Sequence, residues 1–107
     1  MARQFKVVAH VMTGDGTVQP LPSLSDSNRV RRFSLTAGRF NASPIAIGDA
    51  ALTGLDDMGE YLPAATAGAP PAPAVYGEFE DGQVFLHDHY VLIANGEKLH
   101  IFAHMYQ

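Results

Sequence analysis

Two groups of side chains in this 107-residue sequence have types and spacings that could do chemistry. The first is histidine-rich. His87 and His89 are spaced i, i+2, which on an extended strand sends both imidazoles to one face. His104 lies one hairpin further on, and Glu78 one hairpin back. A cross-strand partner sits about 5 Å away at Cβ, so His87, His89, His104 and Glu78 form a candidate ligand set for zinc, iron or manganese. The second group is Arg29, Arg31, Arg32 and Arg39, interleaved with Phe33 and Phe40. Arginine in such a setting suits bidentate pairing with carboxylates at an interface, or stacking with bases in a single-strand binder. On a chain of net charge −4, four arginines make a small footprint for nucleic acid, so the interfacial use is preferred.

Other chemistries are excluded by residue type. There is no cysteine, hence no disulfide framework, thiolate zinc site or thiol nucleophile. No glycine-rich loop leads into Lys-Ser or Lys-Thr, no GxGxxG follows a strand, and no serine sits in a nucleophile elbow. Asp56-Asp57 are adjacent and diverge on any element, so a solvated loop is the better reading.

The elements that must position these groups read as β. Phe5 to Met12 alternates Phe5, Val7, Ala9 and Val11, one wholly apolar face expected to join the core with Ile45 and Ile47, against Lys6, Val8, His10 and Met12. Thr13-Gly14-Asp15-Gly16 predicts a tight turn. Two prolines bar Val18–Pro22 from a central strand. Arg29–Ala37 reads as a strand with Arg29, Arg31, Phe33 and Leu35 on one side and Val30, Arg32, Ser34 and Thr36 on the other. Both faces are mixed, which suits an edge or an interface. Pro44–Gly48 is a short apolar strand, and Asp49 could cap a short helix through Leu52, Leu55 and Met58. Residues 63–74 are a Pro/Ala segment with extended preference, read as an arm lying on its own domain or on a neighbour.

Asp81-Gly82 and Asn95-Gly96 are type I′ hairpin signals. They predict a C-terminal three-stranded meander of about 74–80, 83–94 and 97–106. In that register His87 faces His104, His89 faces Phe102 and Val91 faces His100. One face then carries Val75, Phe79, Val84, Leu86, Tyr90, Leu92, Leu99, Ile101 and Met105 as core. The other gathers His87, His89, His100 and His104, four of the five histidines, with Glu78 as its carboxylate. A contact surface built from that face is expected to weaken at mildly acid pH, since histidine ordinarily titrates near pH 6.5.

Gly82, His87, His89 and Glu97 follow the order of the first cupin motif, which would imply a metal-dependent enzyme. The gap after the glycine is one residue short and the gap before the glutamate about twice too long, and the predicted register puts Glu97 in a turn. The residues give no grounds for kinship.

Composition frames the whole. Charged residues are 17% of the chain against about 25% in an average soluble protein, and hydrophobic residues are 47%, so this is a folded domain rather than a linker. Between Arg39 and Lys98 there is no cation, and that interval holds nine of the eleven acids. A chain basic early and acidic late is expected to meet the opposite half of a neighbour. No apolar run approaches the roughly 20 residues that span a bilayer, and Phe5–His10 is no signal-peptide core, so a cytoplasmic or particle-assembled protein is expected.

The sequence therefore predicts one mainly β domain over residues 1–107, a small sandwich or open barrel with at most one short helix. Its expected role is that of a non-enzymatic structural subunit, without cofactor, assembling with itself or with other structural subunits. A phage decoration, tail or adaptor protein is one such type. Arg29, Arg31, Arg32, Arg39, His87, His89, His100 and His104 are the expected interface. The alternatives are a His-liganded, cupin-like metal enzyme and an adaptor binding an acidic partner through the arginines.

Overall fold

The computed structural model describes residues 5–52, 60–64, 71–79 and 83–106. These form eight strands: β1 (Phe5–Thr13), β2 (Val18–Pro20), β3 (Val30–Ala37), β4 (Ile45–Gly48), β5 (Glu60–Leu62), β6 (Ala74–Tyr76), β7 (Tyr90–Leu92) and β8 (Lys98–Tyr106). One 3-10 turn, Leu86–Asp88, interrupts them. The strands make two antiparallel four-stranded sheets, a long one ordered β1-β8-β3-β6 and a short one ordered β2-β7-β4-β5. The mainly β, sandwich-like class expected from the sequence is what forms. Among the described residues no helix is long and apolar enough to cross a membrane.

One core lies between the sheets. The long sheet contributes Val30, Phe33, Leu35, Leu99, Ile101 and Met105, and the short sheet Ile45, Ile47, Leu62 and Val91. Leu21, Leu86 and Ile93 plug it from the connections. β8 carries the cleanest alternation, its odd residues Leu99, Ile101, Ala103 and Met105 buried and Lys98, His100 and Phe102 exposed. As expected, β4 is a buried apolar strand, and proline-bearing β2 sits at a sheet edge.

Four expectations are corrected. The C-terminal meander does not form: β6 pairs with β3, β7 with β2 and β4, and β8 with β1 and β3. A type I′ turn needs positive φ at both central residues, but at Asn95-Gly96 only Gly96 has it, at 82°. The chain turns through a Glu97 N–H to Ala94 carbonyl bond and crosses from the short sheet to the long one instead of doubling back. Gly14 holds that crossing. Its N–H donates to Glu97 and its carbonyl accepts from Gly96, an approach so close that a Cβ would lie 2.5 Å from the Ala94 carbonyl oxygen.

The second correction concerns the segment before that turn. The 3-10 turn breaks the alternation, so Leu86, Val91 and Ile93 point inward while Tyr90 and Leu92 do not reach full burial. Val75, expected in the core, is exposed on β6. Third, β3 is an interior strand, not an edge. The pairing shifts between Val30 and Arg32, and this bulge at Arg31 brings Val30 to the same side as Phe33 and Leu35. Fourth, the wholly apolar face of β1 points outward: Phe5, Val7 and Val11 are exposed, and it is Val8 and Met12 that pack against the core.

The Asp81-Gly82 turn and most of the Leu52–Met58 helix lie outside the described residues. The start of the latter is a turn in which Asp49 accepts from the Ala51 and Leu52 N–H groups. Of the Pro/Ala arm, 65–70 lie outside the description, and Ala74 enters β6 packed against the core.

Candidate functional site

The register of the long sheet sets its outer face. Across β1, β8 and β3, one row reads Val11, His100, Thr36, the next Ala9, Phe102, Ser34, and the next Val7, His104, Arg32. Val75 of β6 stands opposite Ser34 and extends the middle row. Val7 is 55% exposed, Val75 52%, Val11 51% and Phe102 47%, so half-open apolar groups run across the whole sheet. His104 meets the Phe102 ring edge-on at 5.6 Å between centroids.

At one end of this face the bulge in β3 builds a hollow of about 260 Å³, lined by Phe5, Arg31, Arg32, Glu78 and His104. A regular strand would send Arg31 and Arg32 to opposite sides; the extra residue lets both line one hollow. Arg31 donates from Nε to Glu78 at 2.6 Å, and its guanidinium stands over the Phe5 ring at 5.1 Å. Phe5 in turn packs on Tyr106, whose hydroxyl donates to the Phe79 carbonyl. The hollow thus sets the Arg32 guanidinium and the His104 imidazole beside the Arg31–Glu78 pair. Such a lining suits a carboxylate or another planar anion.

The expected site residues divide accordingly. Arg31, Arg32 and His104 come together with Glu78, and His100 shares their face four residues back along β8. Arg29 lies over the Phe85 ring instead, and Arg39 over the exposed Phe40. His87 leaves the group because it sits in the 3-10 turn, where its Nδ1 accepts from Asn28 Nδ2 at 2.7 Å. His89 donates from Nδ1 to the Leu86 carbonyl and meets the Phe33 ring edge-on. The four-histidine face therefore splits in two, and with it the expected ligand set of His87, His89, His104 and Glu78. Among the described residues no three His, Asp or Glu side chains come together as metal ligands.

Two asparagines that the sequence reading passed over hold the frame. Asn28 is buried, adopts positive φ (55°), accepts from the Leu24 N–H and binds His87. Asn41 is buried beside the first residue of β8: its Nδ2 donates to the Lys98 carbonyl at 2.7 Å and its Oδ1 accepts from the Lys98 N–H at 3.0 Å. Asn28 sits before an Arg-rich strand and Asn41 between glycine and proline, the loop settings where asparagine bonds to backbone, and that was the available signal.

Compared with known proteins, the chain matches no family model, no curated protein and no solved structure.

Proposed function

We propose that this protein is a non-enzymatic assembly subunit that works through the outer face of its long sheet, joining copies of itself or the subunits of a larger particle. The observation that carries this reading is the apolar run of Val7, Val11, Phe102 and Val75 across a face with no covering layer among the described residues. Single exposed apolar groups are ordinary, but a connected set on one sheet face marks a contact surface. His100, His104 and Arg32 stand among these groups and would give such a contact its polar rim. A place in a virion, as a decoration, tail or adaptor component, rests on likeness of composition alone.

The test is sedimentation equilibrium of the untagged chain. Association is expected in the wild type, and Phe102→Asp should weaken it at least tenfold, about 1.4 kcal/mol, with the far-UV spectrum unchanged. A wild type that stays monomeric up to about 1 mM, with no partner recovered from its source, would remove the reading. EDTA should leave the association constant unchanged, and dissociation by chelator would favour the metal alternative.

The hollow at Arg31, Arg32 and His104 supports the adaptor alternative as a second reading, in which the partner inserts a carboxylate. An acidic peptide should then bind the wild type in a salt-dependent way and Arg32→Ala more weakly.

A further inference from the structure

We infer that the partner is a second copy of this chain and that it pairs through β1, strand edge to strand edge across a two-fold axis, making one continuous eight-stranded sheet. The inference rests on the assembly reading and adds to the face contact a second one, at the sheet edge, whose loss leaves the face contact in place.

The hydrogen-bond parity of the long sheet comes first. Gly14, which continues the β1 register, donates its N–H to Glu97 at 2.8 Å. In an antiparallel ladder the residues that bond to one neighbour alternate with those that point away. The even residues of β1 therefore bond to β8, and Phe5, Val7, Ala9, Val11 and Thr13 direct N–H and C=O to the opposite side. The other flank agrees: Gly38 donates to the Lys98 carbonyl, which places the even residues of β8 toward β3 and its odd residues toward β1. Among the described residues no strand occupies the outer side of β1.

β1 is also open on both faces. Its outward residues belong to the apolar face, and on its inward side Lys6 and His10 are exposed while Val8 and Met12 are only half-buried. A nine-residue edge without proline or bulge, and with no covering strand among the described residues, is the kind of edge that soluble proteins ordinarily protect.

A second β1 fits it. An antiparallel copy centred on Ala9 places Ala9 against Ala9, Val7 against Val11, Phe5 against Thr13, Val8 against His10 and Lys6 against Met12. Every outward-bonding residue meets another, so the exchange of N–H and C=O is complete. No like charges face each other, and the apolar faces of the two long sheets become one surface. A shift by two residues, centred on Val8, would set Lys6 against His10, and this favours the Ala9 register. The arrangement closes at two chains, because pairing consumes the β1 edge and the other edge, β6, is three residues long.

Two variants of the full chain test it by light scattering after size exclusion. Ala9→Pro deletes an N–H that β8 does not use and is tolerated on an open edge, so it should keep the wild-type circular dichroism and halve the mass of the assembly. Because the chain has no cysteine, Ala9→Cys supplies a lone thiol on the axis. Paired Cα atoms there would be about 5.5 Å apart, within disulfide range, so mild oxidation should give a covalent dimer. Val75→Cys, equally exposed on the far edge, should not cross-link. A wild-type mass that persists in Ala9→Pro, or Ala9→Cys no more readily cross-linked than Val75→Cys, overturns the β1 pairing and leaves the assembly reading standing. A monomeric wild type overturns the β1 pairing and, with no partner recovered from its source, the assembly reading too. If Ala9→Pro fails to fold, the cross-linking contrast decides.

Discussion

The two edges of the long sheet have been treated very differently by the same fold. β6 is three residues long, and its Tyr76 hydroxyl donates to Glu60 of β5, tying the edge to the opposite sheet. Its Tyr76 ring also stacks on Phe33 at 4.9 Å. β1 runs for nine residues with no strand on its outer side among the described residues, and only Val8 and Met12 of it are half-buried. At the two ends of the interior strand β8 side chains add to its backbone ties, Asn41 at Lys98 and the Ser25 and Ser27 hydroxyls at the Tyr106 carbonyl. Among the described residues, β6 and the ends of β8 are thus closed by shortness, by cross-ties or by side chains, and β1 is not. The difference locates the unfinished part of the molecule, and it is there that a partner would add most.

The comparison breaks most readily at the residues beneath each strand. Ile101 of β8 and Val8 of β1 both point inward, one fully buried and the other partly covered. Ile101→Ala should cost about 2–5 kcal/mol in urea unfolding, because a buried aliphatic leaves a cavity. Val8→Ala should cost less than about 1 kcal/mol in the monomer. Equal losses at the two positions would mean that β1 is as well covered as β8, and the contrast between the edges would fail.

What the sequence could and could not convey follows from these same positions. Alternation along Phe5–Met12 announces a strand, and the usual rule turns its wholly apolar side inward. In the structure that side is the exterior one, because which face a strand buries depends on the sheet opposite, which no local pattern encodes. Likewise two local irregularities, the bulge at Arg31 and the 3-10 turn at Leu86–Asp88, each reset a two-residue period that was counted as unbroken. Asn95-Gly96 was legible as a turn but not as a crossing between sheets, since one negative φ separates the two outcomes. The candidate site shows the same division. Arg31, Arg32, His104 and Glu78 were all singled out by residue type, yet their meeting depends on the β3–β8 register and on the bulge. His87 and His89 were assigned to that company by a hairpin that does not form.

The side-chain seal on β8 gives a smaller effect. Asn41→Ala removes both side-chain bonds to the Lys98 backbone, leaving the Lys98 N–H without its partner while the carbonyl keeps only the Gly38 N–H. A loss of about 1–3 kcal/mol is expected, with faster amide exchange confined to the start of β8. Asn41→Asp keeps the acceptor and loses the donor, so it should fall between the two. If Asn41→Ala unfolds at the wild-type urea midpoint, side-chain closure is not what distinguishes β8 from β1.

The smallest effect belongs to the tie on the closed edge, and pH exposes it. Burial of the Tyr76 phenol, then its hydrogen bond to Glu60 and the charge of that carboxylate, push its pKa well above the ordinary tyrosine value of 10.0. A group whose folded pKa is raised contributes stability that is fully present below its unfolded pKa and is lost as the pH rises through the folded one. The wild type should therefore hold its melting temperature up to about pH 10 and lose it progressively above, where the unfolded chain can ionise Tyr76 and the folded chain resists. Tyr76→Phe should cost about 1 kcal/mol at neutral pH, for one hydrogen bond, and show a shallower alkaline decline than the wild type. Glu60→Gln takes away the carboxylate but leaves the phenol half-buried, so its decline should lie between them. Parallel melting curves for wild type and Tyr76→Phe from neutral pH to above pH 10 would show that the phenol does not hold the β6 edge, and that edge would then owe its closure to its shortness alone.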